Sequence, residues 1–240
     1  MTTTATVDIR RPDQRFHTDM GWLDSWHSFS FGGHYDPSET GFGLLLVNND
    51  DVVAPGGGFP PHSHRDMEIV TWVLEGGVAH ADSTGTDGTI RPGLAQRMSA
   101  GRGITHSEMN ASTTEPVHFV QMWVLPDTRD VEPSYEQRDL SDALAAGGLV
   151  AVASGQGHDG AVTIHQHDAV LWAARLDEGT SVEVPSDEFV HVFVARGEVD
   201  LGDEPLSRGA AARLTSAGPL TLTGGPEGGE VLIWQMGATV

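Results

Sequence analysis

Short apolar runs rich in β-branched and aromatic residues, each closed by glycine, proline, aspartate or serine, recur along this chain and leave little room for helices. EIVTWVLEGGVAHADSTGTDG, VHFVQMWVLPD, AVLWAARLDEG and EFVHVFVARGEVDLGDEP are of this kind. The spacing predicts an all-β chain, an antiparallel barrel or sandwich. One short helix is expected over Asp139–Gly148, DLSDALAAGG, with Ser141 as its N-cap and Gly147-Gly148 as its stop. The polar stretch before it, LPDTRDVEPSYEQR, reads as a linker. A first domain then covers residues 1–133 and a second 134–240, with the linker and its helix at about 127–148.

The two sides of the linker resemble each other, as two copies of one fold would. IVTWVLEGGVAH corresponds to FVHVFVARGEVDL, with Gly76 falling on Gly197, and RPGLAQRMSAG to SRGAAARLTSAG, with Gly93 falling on Gly209. The same register sets His62 on Glu183 and His64 on Pro185, so the second copy lacks the histidine pair of the first.

Composition removes several function classes. The 34 acidic residues face 13 basic ones, all arginine, for a net charge of -21, which repels phosphate backbones and anionic lipid and disfavours direct nucleic-acid binding. With no cysteine, disulfides and thiolate metal sites are impossible, and any metal must be held by nitrogen and oxygen. The start, MTTTATVDIRRPDQ, has no apolar signal core, and the best apolar run, GFGLLLV, is too short to span a bilayer, so no membrane contact and a cytoplasmic location are expected.

The chemistry concentrates in PPHSHRDMEIVTW. In a strand, residues two apart point to one face about 7 Å apart, so His62 and His64 can converge on one ion. The same parity puts Asp66, Glu68, Val70, Trp72 and Leu74 on that face, with Glu68 as an oxygen donor. SAGRGITHSEMNAS repeats the spacing with His106 and Glu108. Two such strands facing each other supply three imidazoles and a carboxylate, and parity permits either Glu68 or Glu108. A second H-x-H, His165 and His167, has no evident distant partner and reads as a solvent-facing stripe. His17, His27, His34, His80, His118, His158 and His191 read as surface or hydrogen-bonded histidines, and Trp72 and Trp123 as core packing.

Gly56 precedes His62 by six residues, and Gly103 and Asn110 flank His106. These positions resemble the two cupin motifs, G-x5-H-x-H-x3-E and G-x2-H-x3-N. Within that superfamily, HSHRDMEIVTWVLEGGVAHADSTGTDGTIRPGLAQRMSAGRGITHSEMN and GWLDSWHSFSFGGHYDP resemble the pirin family, strongly from about Gly21 to Pro126 and more weakly beyond. The resemblance implies a bicupin: two face-to-face antiparallel β-barrels of jelly-roll type, with one metal in the N-terminal barrel and a degenerate C-terminal one. It implies His62, His64, His106 and Glu108 as ligands, and Glu68 behind them or as a spare base. Asp66 stands where many pirins have glycine.

Such a donor set suits Fe(II) best and also Ni, Co, Mn, Cu or Zn, and four protein ligands leave positions open on an octahedral ion. Several bacterial pirins are quercetin 2,3-dioxygenases, which implies a phenolic substrate, dioxygen, and Glu108 or Glu68 as the catalytic base. The competing implication is a regulatory pirin without catalysis, in which the metal senses redox state for a partner protein, a transcription factor or a metabolic enzyme.

Overall fold

The computed structural model describes residues 5–240; the first four residues of MTTTATVDIRRPDQ lie outside the described residues. The chain is all-β, as its turn-punctuated runs predict, with the strands gathered into three sheets. A seven-stranded sheet runs in the order Ser134–Asp139, Leu94–Ser99, Glu68–Glu75, Val117–Val124, Leu45–Val53, Leu23–His27 and Phe16–Asp19. Over one face of it lies a four-stranded sheet, Gly58–His64, Ile104–Asn110, Val78–Asp82 and Asp87–Ile90. The second half builds a nine-stranded sheet around the long strands Phe189–Leu201 and Thr221–Met236. Among the described residues no sheet closes on itself, so the two units are open jelly-roll sandwiches rather than sealed barrels.

The repeat appears in the backbone as well as in the sequence. Gly76 and Gly197 both sit at positive φ, 74° and 63°. A side chain at either would also meet backbone, 2.9 Å from the Pro116 carbonyl and 2.0 Å from the Gly228 carbonyl, so both copies need glycine, at a bend in the first and at a register shift within Phe189–Leu201 in the second. The counterpart of the H-x-H strand is Ser181–Glu183, on which Glu183 is exposed.

Period-2 alternation divides each strand between two environments. Val70, Trp72 and Leu74 face the second half, where they join Val120, Met122, Leu171, Phe193, Leu232 and Trp234 in one apolar core shared by both units. Thr71, between them, faces the small sheet and donates to Glu108. Trp72 has a polar end to satisfy, and its Nε1 donates to Glu230 Oε1 of the other half at 2.7 Å. The Trp234 Nε1 donates to Met122 Sδ at 3.3 Å from the opposite side.

The division at residues 133 and 134 is not the one the sheets follow. The first strand, Thr6–Arg10, pairs with Ala211–Thr215 in the sheet of the second half. Ser134–Asp139, expected within the linker, pairs with Leu94–Ser99 and forms the edge of the first sheet. Each unit thus lends a strand to the other's side of the boundary. The helix is also shorter than expected, Ser141–Ala145, and its N-cap is Leu140, with Ser141 the first helical residue. The Asp139 carboxylate accepts from the Ser141 N–H at 3.0 Å and takes over the capping role.

His191 lies in this architecture with both ring nitrogens buried and, among the described residues, without a hydrogen-bond partner, against Phe29 and Phe42. Burial, with the Arg213 charge second, pushes its imidazole down to about 3. The unfolded chain takes up a proton there near pH 6.5 and the folded chain only near 3, so stability is lost as pH falls between those values. The loss from this one residue amounts to about 2 kcal/mol by pH 5. Urea titrations of His191→Leu should accordingly show a pH 7.5-to-5 stability loss about 2 kcal/mol smaller than wild type. An equal loss in both proteins would contradict the assignment.

Candidate metal centre

The small sheet sets the histidines in register. Gly58–His64 and Ile104–Asn110 run antiparallel with His62 directly opposite His106 and His64 opposite Ile104. Gly58 permits this pairing, because a Cβ there would stand 2.5 Å from the Glu108 carbonyl oxygen. Asn110 fixes the far end: its Nδ2 donates to the carbonyls of Val53, Ala54 and Glu115 at 2.9–3.1 Å, and its Oδ1 accepts from Ser112 N–H at 2.9 Å. One nitrogen from each of His62, His64 and His106 then lies within 4.8 Å of the others.

The hydrogen bonds behind these rings orient their lone pairs. His62 Nδ1 lies 2.8 Å from the Pro60 carbonyl, which can only accept, so Nδ1 carries the proton and Nε2 keeps a free lone pair. His106 is backed by a longer chain. His80 Nε2 donates to the Asp82 carboxylate at 3.0 Å, which leaves His80 Nδ1 as an acceptor, and His106 Nδ1 faces it at 3.5 Å. The proton of neutral His106 then sits on Nδ1, and its Nε2 is buried with no partner among the described residues. An orphaned, buried imidazole lone pair aimed at two other imidazoles fits a metal ligand, and a carboxylate–histidine chain behind such a ligand is the usual means of fixing its tautomer.

Electrostatics keeps the rings ready to bind. Burial, with the His62 charge second, pushes His64 down to about 4, and burial together with His62 and His64 pushes His106 down to about 3. Both are neutral at pH 7, as ligation requires. Burial opposes ionisation of Asp82, yet the bonds from His80 and Thr84 hold it below the usual carboxylate range, so the chain ends on a charge.

Glu108, two residues beyond His106, is fully enclosed. Its Oε2 accepts from Gln121 Nε2 at 2.7 Å and its Oε1 from Thr71 Oγ1 at 3.4 Å. Burial raises its pKa. It lies outside the tight three-nitrogen cluster but lines the same cavity, about 300 Å³ in volume, together with His62 and His64. The other walls are apolar and aromatic at Leu23, Phe31, Phe59 and Trp123 and polar at Ser25, His27, Asn49, Asp51 and Gln121.

Several expectations change here. Glu68 does not join the face of His62 and His64, because the strand breaks between them. Asp66 adopts a left-handed φ of 48°, which explains why glycine suits this position, and its carboxylate accepts from Asp130 N–H at 2.7 Å. After that turn Glu68 begins a strand of the other sheet and points toward the second half. There it accepts from Ser99 Oγ at 2.7 Å and lies 3.3 Å from His165 Nδ1. His165 is thus half-buried in a loop against the first unit rather than on a solvent-facing strand, while His167 is exposed. Trp123 packs against the Ile69, Met98 and Ile104 core as expected and is also a cavity wall, its ring edge-to-face with His64 at 4.9 Å. His80 and Asp82 were not singled out in the sequence, although VAHAD carries them two apart on a short strand, the same spacing as the ligand pairs.

Residues 9–124 match the family model described as Pirin, and residues 151–236 match that of the quercetinase C-terminal cupin domain. A Mycobacterium tuberculosis protein named "Putative quercetin 2,3-dioxygenase" is 56% identical over 98% of this chain and 97% of its own length. The chain belongs to the pirin family. An Escherichia coli protein named quercetin 2,3-dioxygenase is 43% identical to this pirin over 81% of the chain and 84% of its own length. In structure this pirin is similar to the E. coli pirin YhhW solved in complex with nickel(II), with a TM-score of 0.89 and 35% identity over 98% of this chain and 100% of that one. The cupin fold and a donor set suited to a divalent metal follow together. Among the described residues no helix is long and apolar enough to cross a membrane.

Metal analysis of the purified protein should find one equivalent of divalent metal per chain, lost in His62→Ala and His106→Ala. Removing the support behind the ligand, in His80→Ala or Asp82→Asn, should weaken metal affinity about 10- to 100-fold. Two equivalents in wild type, or full occupancy in His106→Ala, would contradict the site.

Proposed function

We propose that this pirin is a metal-dependent dioxygenase that opens the central ring of a flavonol such as quercetin, with release of carbon monoxide. The observation that carries the reading is the cluster of His62, His64 and His106, two of which, His62 and His64, open into a cavity of about 300 Å³ walled by Phe31, Phe59, Trp123 and Leu23. Small-molecule sites have this construction, a mostly apolar cleft with few convergent polar groups. The E. coli relative named quercetin 2,3-dioxygenase and the nickel in YhhW support it.

His62, His64 and His106 would hold the ion, with Glu108 as the fourth donor once its side chain turns from Gln121 and Thr71. Fe(II) suits the set best; Ni, Co, Mn, Cu and Zn are accommodated by the same donors. When bound, the metal supplies Lewis-acid polarisation of a substrate oxygen and open coordination positions. The chain's own part is to shape and dry the site. The rings of Phe31, Phe59 and Trp123 offer flat apolar surfaces to an aromatic substrate and exclude water from it. Gln121 and Thr71 hold the Glu108 carboxylate at the cavity wall. Glu68 does not line the cavity, so substrate proton transfer is left to carboxyls that do.

The metal-loaded protein should consume dioxygen and bleach quercetin absorbance, and His106→Ala should lose at least about 100-fold of that rate. A wild type that is metal-loaded yet inert toward a panel of flavonols would overturn the enzymatic reading in favour of a metal-sensing regulator of a protein partner.

A further inference from the structure

The strand Leu45–Val53 carries two adjacent aspartates with opposite fates. Asp50 faces the second half, where His118 Nε2 approaches at 2.6 Å and Arg15 Nη1 at 3.2 Å, and against the cost of burial these partners hold it below the usual range. Asp51 faces the cavity. Among the described residues the Ser25 hydroxyl is its hydrogen-bond partner and no cation pairs with it. A carboxyl kept only to fill a buried polar position would be served better by an amide, and Asn48 and Asn49 stand beside it on the same strand.

Asp51, with Ser25 and His27 beside it on the cavity wall, also begins an ordered row. Thr18, Ser25 and Asp51 are direct cross-strand neighbours on three adjacent strands. Ser25 Oγ, bonded to Asp51, lies 3.4 Å from His27 Nδ1; His27 Nε2 lies 3.1 Å from Thr18 Oγ1; and Thr18 Oγ1 lies 2.9 Å from His34 Nε2. Ser25, His27 and Asp51 are buried, whereas His34 is half-exposed. The row therefore runs unbroken from the cavity wall to solvent.

Resting on the flavonol reading above, we propose that Asp51 accepts the proton of the bound substrate hydroxyl, and that Ser25, His27, Thr18 and His34 conduct it to solvent. The substrate O–H bond breaks and an O–H bond forms on Asp51, with no change of oxidation state. The Ser25 hydroxyl turns to accept that proton and releases its own to His27 Nδ1. The His27 Nε2 proton passes to Thr18 Oγ1, whose proton passes to His34 Nε2 and then to water. Once Asp51 is protonated and Ser25 has turned its hydroxyl from Asp51 to His27 Nδ1, donor and acceptor roles are consistent along the row with neutral His27 protonated on Nε2. Burial lowers the pKa of His27 and so keeps it neutral between transfers. Burial pushes Asp51 up to about 7, offset by the Ser25 bond and reinforced by the charges of Asp50, Glu108 and Asp24, which suits a group that must gain and lose a proton near neutrality. The arrangement also frees Glu108 for metal binding, since a carboxylate bound to a cation is a poor base.

The test is anaerobic titration of the metal-loaded protein with quercetin and, separately, with 4-nitrocatechol, both of which change colour on ionisation, followed by aerobic turnover. Near pH 7 wild type should bind quercetin ionised and 4-nitrocatechol as its dianion. Asp51→Asn should keep its metal and bind quercetin protonated and 4-nitrocatechol as the monoanion it already is in solution, with turnover about 100-fold lower or less than that. His34→Phe, at the surface end, should bind the ionised chromophore normally but turn over about 10-fold more slowly, with rescue by added imidazole. If Asp51→Asn does not fold, the imidazole rescue of His34→Phe decides the matter. Ionised binding and full turnover in Asp51→Asn, an unrescued or unaffected His34→Phe, or failure of wild type to bind either chromophore would each overturn the relay. Asp51-dependent ionisation of 4-nitrocatechol with quercetin left unchanged would retain the relay and overturn the flavonol reading alone.

Discussion

The packing of the two halves on one apolar core governs the rest of this structure. Trp72, Leu74, Val120 and Met122 commit one face of the seven-stranded sheet to Leu171, Phe193, Leu232 and Trp234 across the interface. Burying aromatic side chains of this size stabilises by several kcal/mol, with Trp to Ala at such positions costing about 3–5 kcal/mol. The exchanged edge strands Thr6–Arg10 and Ser134–Asp139 tie the same two bodies by backbone hydrogen bonds. With one face fixed on the partner unit, alternation leaves the other face to the small sheet, and the space between those two sheets is the cavity.

That division explains why the centre has its chemistry. Residues on the interface face find partners: Asp50 has Arg15 and His118, and Glu68 has Ser99 and His165. The acids on the cavity face have neutral hydrogen-bond donors alone among the described residues, Gln121 and Thr71 for Glu108 and Ser25 for Asp51. Desolvation there holds His64 and His106 neutral and raises Glu108 and Asp51, so the site contains imidazoles ready to ligate and acids poised to exchange protons. Only His106 has a carboxylate behind it, through His80, and that support orients its lone pair without charging the ring.

Much of this is legible in the sequence, for identifiable reasons. The His62-x-His64 spacing and its counterpart at His106 report the three-imidazole cluster because strand periodicity is local, with Glu108 at the cavity wall outside that cluster, and the glycines at 76 and 197 report the repeat because backbone close approach admits nothing larger. Non-local pairing is not legible in the same way. Nothing in TVDIR or SYEQRD tells which sheet each will join, so a domain division near residue 133 misses the strand exchange. Glu68 misleads because parity counts through Asp66 as though the strand continued, when a left-handed residue there moves the chain to another sheet. Asp51 sits in NNDDVV, where the signal was available: consecutive polar residues inside a strand that is buried on both faces.

The central claim is that three imidazoles of the first unit, and none of the second, hold a single metal. X-ray absorption at the metal edge of the loaded protein tests it most directly, because imidazole rings give a characteristic outer-shell scattering that can be counted. Three imidazoles at about 2.0–2.2 Å, falling to two in His64→Ala and unchanged in His165→Ala, is the expected result. A spectrum with fewer than two imidazoles, or one altered by removal of His165 but not of His64, would contradict the account.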